Sequence, residues 1–112
     1  MMRALFSKDV QRFSTIESTN NEAENWVNIS KPAEGSAVLA DFQTKGRGMG
    51  DNYWESDPGM NLLVSFVLYP HFLNATDQFL LNKIIALSVK ECVRKYAGRS
   101  DVFIKWPNDI YV

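Results

Sequence analysis

Gln43-Thr44-Lys45-Gly46-Arg47-Gly48-Met49-Gly50-Asp51-Asn52-Tyr53-Trp54 lies between two apolar runs, Ala37 to Ala40 before it and Leu62 to Tyr69 after it. Short apolar runs bounded by turn formers read as strands, so this stretch is a loop carried between two strands of a sheet. Glycines at 46, 48 and 50 alternate with Arg47 and Met49. Lacking a β-carbon, glycine lets backbone N–H groups approach a ligand closely. Lys45 and Arg47 set positive charge beside those amides, a combination that suits a carboxylate or a phosphate. A rigid sheet holding a loop of this kind is a common setting for function.

Two familiar phosphate-binding readings fail. A dinucleotide fingerprint needs G-x-G-x-x-G opening a helix directly after a strand. The spacing here is G-x-G-x-G, and Asp51 to Gly59 is rich in turn formers and includes Pro58-Gly59, which no helix runs through. No G-K-[ST] ending is present, so the loop is not a P-loop. Taken alone, a glycine-rich loop between strands is more often a plain connection than a site.

Working outward, Arg12 to Ile16 reads as a short extended segment leading into Glu17-Ser18-Thr19-Asn20. Thr19 with Glu22 forms a capping box for a helix over roughly Asn21 to Val27, with Ala23, Trp26 and Val27 on its buried side. Ser18, Thr19 and Asn20 then sit at a helix N-terminus, where unpaired N–H groups favour a polar ligand. The plainer alternative is that they only cap the helix. Pro32 to Gly35 reads as a turn and Ser36 to Gln43 as the strand that delivers the glycine loop.

Asn61 to Tyr69 is apolar on both faces and reads as a central strand ended by Pro70. His71, the single histidine, reads as a loop residue without partners for a metal site. Leu81, Ile84, Ile85, Ser88, Val89, Cys92, Val93 and Tyr96 recur at helical spacing and predict a long helix with this stripe as core. Lys83, Lys90, Glu91, Arg94 and Lys95 form its solvated face, and Gly98 is a fitting stop. Asp101 to Trp106 reads as the next strand, broken by Pro107. Ile110-Tyr111-Val112 opens an apolar strand with no turn or charge after it, which reads as the first part of a longer protein. The order β-α-β-β-α-β-β, without regular βαβ crossovers, predicts an α+β fold: a mixed β-sheet with helices packed on one side.

Composition sets bounds. At 112 residues the chain is one domain at most. A hydrophobic fraction of 46% and a charged fraction of 22% describe an ordinary globular chain. A formal charge of −1 argues against nucleic-acid binding. The lone Cys92 cannot form an internal disulfide, fits a reducing cytoplasm and is expected to pack as a small buried hydrophobe. No signal-peptide core or membrane span is read, and no repeats or linkers.

A second motif, Phe103-Ile104-Lys105-Trp106-Pro107-Asn108-Asp109-Ile110, changes the reading of the loop. With Ser18-Thr19-Asn20 and the Gln-x-x-Gly-Arg-Gly loop at Gln43 to Gly48, it resembles the catalytic domain of biotin protein ligases. That family has the same three pieces in the same order. The resemblance runs from about Phe13 to Val112. It implies a biotin/lipoyl protein ligase catalytic-domain fold, of the class II aminoacyl-tRNA-synthetase-like type, with residues 1–112 as the N-terminal portion of one catalytic domain. The C-terminal part and any DNA-binding winged helix are expected to be absent from these residues.

The chemistry so implied joins biotin to ATP, giving biotinoyl-AMP and pyrophosphate, with Mg²⁺ on the phosphates. A lysine of a biotin carboxyl carrier domain, in a biotin-dependent carboxylase, then takes the biotinoyl group. By similarity, Ser18, Thr19, Asn20, Gln43, Gly46, Arg47, Gly48 and Met49 bind biotin. Arg47, Gly50, Trp54, Lys105, Asn108 and Asp109 face ATP or the adenylate, and Arg47 and Lys105 are the catalytic candidates. A homo-oligomer is compatible with the resemblance.

Two departures qualify this. The family's loop carries further basic residues after Gly-Arg-Gly, where this chain has Met49-Gly50-Asp51-Asn52, so its hold on the adenylate is expected to be weaker. The family's lysine that contacts both the biotin carboxylate and the α-phosphate lies beyond Val112, so residues 1–112 alone are expected to have no ligation activity. The rival readings are a lipoate–protein ligase, a non-catalytic ligand-binding remnant, and a structural domain with coincidental motifs.

Overall fold

Val10–Ile16 forms strand β1, in which Phe13 and Ile16 are half-buried. The computed structural model describes residues 9–48, 50–98, 101–105 and 108–111; Met49, Trp106, Pro107 and Val112 of the sequence readings lie outside them. The chain gathers into two units, Met1–Tyr69 and Pro70–Val112.

In the first unit β1 leads into helix α1, Thr19–Ser30. Ser18 is its N-cap, with extended backbone (φ −161°), and its hydroxyl oxygen accepts the Asn21 N–H at 3.3 Å. The cap is therefore one residue earlier than the Thr19–Glu22 box expected from sequence. The helix also runs three residues past Val27. It stops at Lys31, which takes the left-handed conformation (φ 46°) and donates its N–H to the Val27 carbonyl at 3.1 Å. Pro32 follows and cannot continue a helix. Ala23 is buried, with Trp26 and Val27 packed beside it, as the spacing predicts.

β2, Ala37–Gln43, is the middle strand of three. It pairs in parallel with β1, from Val10 opposite Ala37 to Ile16 opposite Gln43. Parallel neighbours need a crossover connection, and α1 supplies it, so a βαβ unit is present where the sequence reading expected none. The other neighbour of β2 is antiparallel β5, Leu63–Phe66, with Ala40 opposite Leu63. Two expectations for this strand are corrected. It is four residues long rather than nine, and it flanks the described sheet instead of lying at its centre. The apolar run is longer than the strand because Leu62 and Leu68 extend it as exposed residues.

Helix α1 packs across β2 and β5. The core is Ala23, Val38 and Val67, with Phe13, Trp26, Val27 and Tyr69 around it. Tyr69 ties this core to the turn after α1: its hydroxyl donates to the Pro32 carbonyl at 2.6 Å and its N–H to the Glu34 carboxylate at 2.8 Å. Between β2 and β5 the glycine stretch folds back on itself. β3, Gly46–Arg47, pairs antiparallel with β4, Tyr53–Trp54. The loop is thus itself a small hairpin.

The second unit holds a short 3₁₀ turn at Ala75–Asp77, helix α2 at Gln78–Ala97, and a hairpin of β6, Phe103–Lys105, with β7, Asp109–Tyr111. Gly98 ends α2 in the left-handed region (φ 66°), donating its N–H to the Arg94 carbonyl, as the sequence predicts. The apolar stripe of α2 is not a core, however. Ile84 and Ile85 are 46% and 41% exposed, Cys92 is exposed rather than buried, and only Ala86 and Val102 are buried apolar residues among those described in this unit. A hairpin with strands of three residues is too short to cover a helix of 20. On the charged face the Arg94 guanidinium hydrogen-bonds Glu91 at 2.9 Å, holding that carboxyl below its usual range. This exposed pair adds little to stability. No helix among the described residues is long and apolar enough to cross a membrane.

Candidate functional site

Strand pairing brings distant polar residues together in the first unit. Parallel register sets Gln43 opposite Ile16. Beyond that pair the Thr44 and Lys45 N–H groups donate to the carbonyls of Ile16 and Glu17, at 2.9 and 2.8 Å. The lead into α1 and the exit from β2 therefore run side by side, and the exposed Lys45 ammonium sits 3.7 Å from Glu17.

Here the side chain of Gln43 turns to the helix start, its Oε1 accepting the Thr19 N–H at 2.7 Å. Thr19 Oγ1 meets Ser65 Oγ, on β5, at 2.8 Å. Ser65 donates in turn to Asn20 Oδ1. Ser18, Thr19 and Ser65 are all buried. At the rim the Arg47 guanidinium donates to Asn21 Oδ1, so the hairpin is tethered to the first turn of α1. These groups enclose a cleft of about 230 Å³ lined by Ser18, Thr19, Asn20, Gln43, Arg47 and Trp54, with Leu62 to Ser65 as its far wall. A second hollow of about 530 Å³ shares Gln43 and Trp54 and extends along Tyr53 to Asp57. Trp54, 56% exposed, stands as the wall common to both.

Six of the sequence-predicted residues thus meet in one place. How they are used differs from the expectation. The helix start offers fewer open N–H groups than expected, because Gln43 takes that of Thr19 and Ser18 takes that of Asn21. Recognition therefore falls to side chains. Likewise the Gly48 N–H is spent on the Asn52 carbonyl at 2.7 Å, closing the hairpin. Gly46 is needed for space: a β-carbon there would lie 2.4 Å from the Trp54 carbonyl oxygen and 2.9 Å from Gln43 Nε2. Gly50 lies in the exposed turn of the hairpin tip, and Met49 is outside the described residues.

Lys105, Asn108 and Asp109 belong to the second unit, where all three are exposed. Lys105 lies opposite Asp109 across the β6–β7 hairpin, with Asn108 in its turn. Among the described residues no group of three or more His, Cys, Asp or Glu side chains is placed to hold a metal ion.

Sequence reasoning missed Ser65 and Asn21. The one available signal for Ser65 was a single hydroxyl inside the apolar run Leu62-Leu63-Val64-Ser65-Phe66-Val67. Asn21 reads as an ordinary first-turn residue until the hairpin folds over it.

The cleft is polar, uncharged within, and cationic at its mouth. Residues 13–112 match the sequence model of the biotin/lipoate A/B protein ligase family. The chain belongs to this family. Among curated relatives, the biotin–protein ligase of Schizosaccharomyces pombe is 38% identical over 94 residues, covering 80% of this chain and 15% of that protein. The bifunctional ligase/repressor BirA of Bacillus subtilis is 37% identical over 99 residues, covering 87% of this chain and 29% of that one. The chain therefore spans less than a third of the length of these relatives. Among solved structures, the biotin protein ligase of Aquifex aeolicus in complex with biotin and ATP superposes with a TM-score of 0.77 at 30% identity, over 95% of this chain and 42% of that one. The Leishmania major ligase with biotinyl-5-AMP gives a TM-score of 0.75 at 25% identity, over 93% and 47%. The α+β class and mixed sheet inferred from sequence agree with these ligase-family folds.

Proposed function

We propose that the protein containing this chain is a biotin protein ligase, activating biotin with ATP and passing it to a lysine of a biotin carboxyl carrier domain. The observation that carries this reading is the meeting of Ser18, Thr19, Asn20, Gln43, Arg47 and Trp54 in one cleft. Family membership and the likeness to the ligand-bound Aquifex and Leishmania ligases support it.

In the first half-reaction a biotin carboxylate oxygen attacks the α-phosphorus of ATP, forming biotinoyl-AMP as pyrophosphate departs. In the second, the carrier lysine amine attacks the acyl carbon, forming the amide as AMP leaves. The physical obstacle in the first step is repulsion between a carboxylate and a triphosphate. A fixed cation offsets it when the cation is held in position before the substrates arrive. Arg47 is such a cation, its guanidinium oriented by Asn21 at the N-terminal turn of α1, where the helix dipole adds to the positive field. The side-chain hydrogen-bonding groups of Thr19, Asn20 and Gln43 suit the polar ring of biotin, and Trp54 supplies an apolar wall. By the family resemblance Lys105 is the candidate for phosphate charge, and Asn108 and Asp109 are candidates for the metal, the nucleotide or the loop backbone. Mg²⁺ is expected on the phosphates, where substrate oxygens and water supply most of its ligands, and Arg47 is the cation that the first-unit cleft itself supplies. The same reading places the enzyme in the cytoplasm and leaves a homo-oligomer open.

A lipoate–protein ligase is the second reading, since the matched family includes both. Thermal-shift titration of the full-length protein separates them: biotin raises Tm and lipoate does not, whereas stabilisation by lipoate alone overturns the biotin assignment. Arg47→Ala should lower the rate of biotin-dependent pyrophosphate release by about 10²–10³-fold, the size seen when one preorganised charge-stabilising donor is lost. An unchanged rate removes Arg47 from the mechanism.

A further inference from the structure

We propose that Ser65 is a positioning residue for the ligand of the first-unit cleft, acting through Thr19 and Asn20; the ligand is biotin if the function proposed above holds. Ser65 is a buried hydroxyl on β5, 46 positions from Thr19 in sequence and in hydrogen-bond reach of both residues. A hydroxyl has one hydrogen to give. That of Ser65 goes to Asn20 Oδ1, so the hydrogen in the 2.8 Å contact with Thr19 comes from Thr19.

The direction of this relay has consequences for the cleft. Thr19 has spent its hydrogen and keeps a lone pair, so it presents an acceptor. Asn20 turns its carbonyl oxygen to Ser65, which orients the amide so that its nitrogen, with two hydrogens, is the group left to donate. Gln43 is fixed in the same sense by a different bond, since its Oε1 is taken by the Thr19 N–H and its Nε2 remains to donate. The cleft thereby carries one acceptor, at Thr19, and two donors, at Asn20 and Gln43. The cyclic urea of biotin can meet these groups, with one N–H given to the Thr19 oxygen and its C=O, which has two lone pairs, accepting from the Asn20 and Gln43 amide nitrogens.

Without the Ser65 hydroxyl, the Asn20 amide is free to flip and the Thr19 hydroxyl to turn, which scrambles the pattern. The buried Thr19 oxygen also loses its partner. Losing an oriented buried hydrogen bond of this kind weakens binding by about tenfold to a hundredfold.

The test uses the full-length protein, with isothermal titration of biotin and steady-state pyrophosphate release. Ser65→Ala should raise the biotin Kd and the biotin KM together by that factor, leaving the KM for ATP and the kcat at saturating biotin unchanged. Ser65→Thr, which keeps the hydroxyl, should restore the affinity. Equal loss in Ser65→Ala and Ser65→Thr would mean that the site needs only a small side chain, and the proposal fails. It also fails if Ser65→Ala binds biotin like the unaltered protein, or if both KM values stay fixed while the active fraction drops. If the unaltered protein does not bind biotin at all, it is the functional reading that fails. The relay is then judged from a Thr19→Ala, Ser65→Ala double-mutant cycle in thermal unfolding: coupled losses support it, and additive losses overturn it.

Discussion

Gly46 and Gly48 flank Arg47 and look interchangeable in the sequence, yet the structure separates them. A β-carbon on Gly46 would meet the Trp54 backbone oxygen at 2.4 Å, and a backbone atom paired across a hairpin has nowhere to go. A β-carbon on Gly48 would meet Asn52 Cβ at 3.2 Å, with the Asn52 carbonyl oxygen and carbon at an ordinary 3.6 and 3.8 Å, in an exposed turn that has room to adjust. Gly46→Ala should therefore open the β3–β4 pair and displace Arg47 from Asn21, at a cost of about 1–3 kcal/mol for forced overpacking. Thermal unfolding and pyrophosphate release in the full-length protein check this: both should fall for Gly46→Ala and neither should fall much for Gly48→Ala. Equal effects would show that loop flexibility, not space, is what the glycines provide. The loop as a candidate site was legible because its glycines and cations are local. Ser65 was not, because its contacts with Thr19 and Asn20 run from β5 to the start of α1, and no periodicity records them.

At the scale of elements, the sequence located both helices and the main strands, but resolved their ends less well. Ser18 and Thr19 are both accepted cap residues, and the fold decides between them: the Thr19 hydroxyl is committed to Ser65, and the Ser18 hydroxyl is left to accept from Asn21. Ser18→Ala should destabilise the first unit by about 0.5–2 kcal/mol, the usual cost of losing a cap, measured by urea unfolding. A change below that range would place the cap at Thr19 after all. The parallel pairing of β1 with β2 was also hidden. Deciding that α1 is a crossover requires knowing which strands are neighbours, and strand neighbours are a long-range fact. For β5, apolar composition was a poor guide to length, since an exposed Leu62 or Leu68 carries the same letters as a buried one.

The whole molecule poses a question of coverage. The first unit closes a core around Val38 and Val67, and its polar residues converge. In the second, α2 lies on a hairpin with strands of three residues, and Phe79, Leu80, Ile84, Ile85, Leu87 and Val89 are all more than 40% exposed. The helical stripe was read correctly as a pattern; what it does not encode is whether these 112 residues contain the surface that covers it. Exposed apolar side chains gathered on one helix supply an interaction surface or drive association. If the proposed reaction holds, residues 1–112 bring Arg47 and Lys105 to adenylation without the lysine that the family resemblance places beyond Val112. Residues 1–112 produced in isolation should therefore self-associate at micromolar concentration, bind a hydrophobic dye, and release no pyrophosphate when given biotin and ATP. Light scattering, dye fluorescence and a pyrophosphate assay test the three points. A monodisperse, dye-silent monomer would show that α2 finds cover within the chain, and biotin-dependent pyrophosphate release would show that the groups held by these residues are sufficient for adenylation.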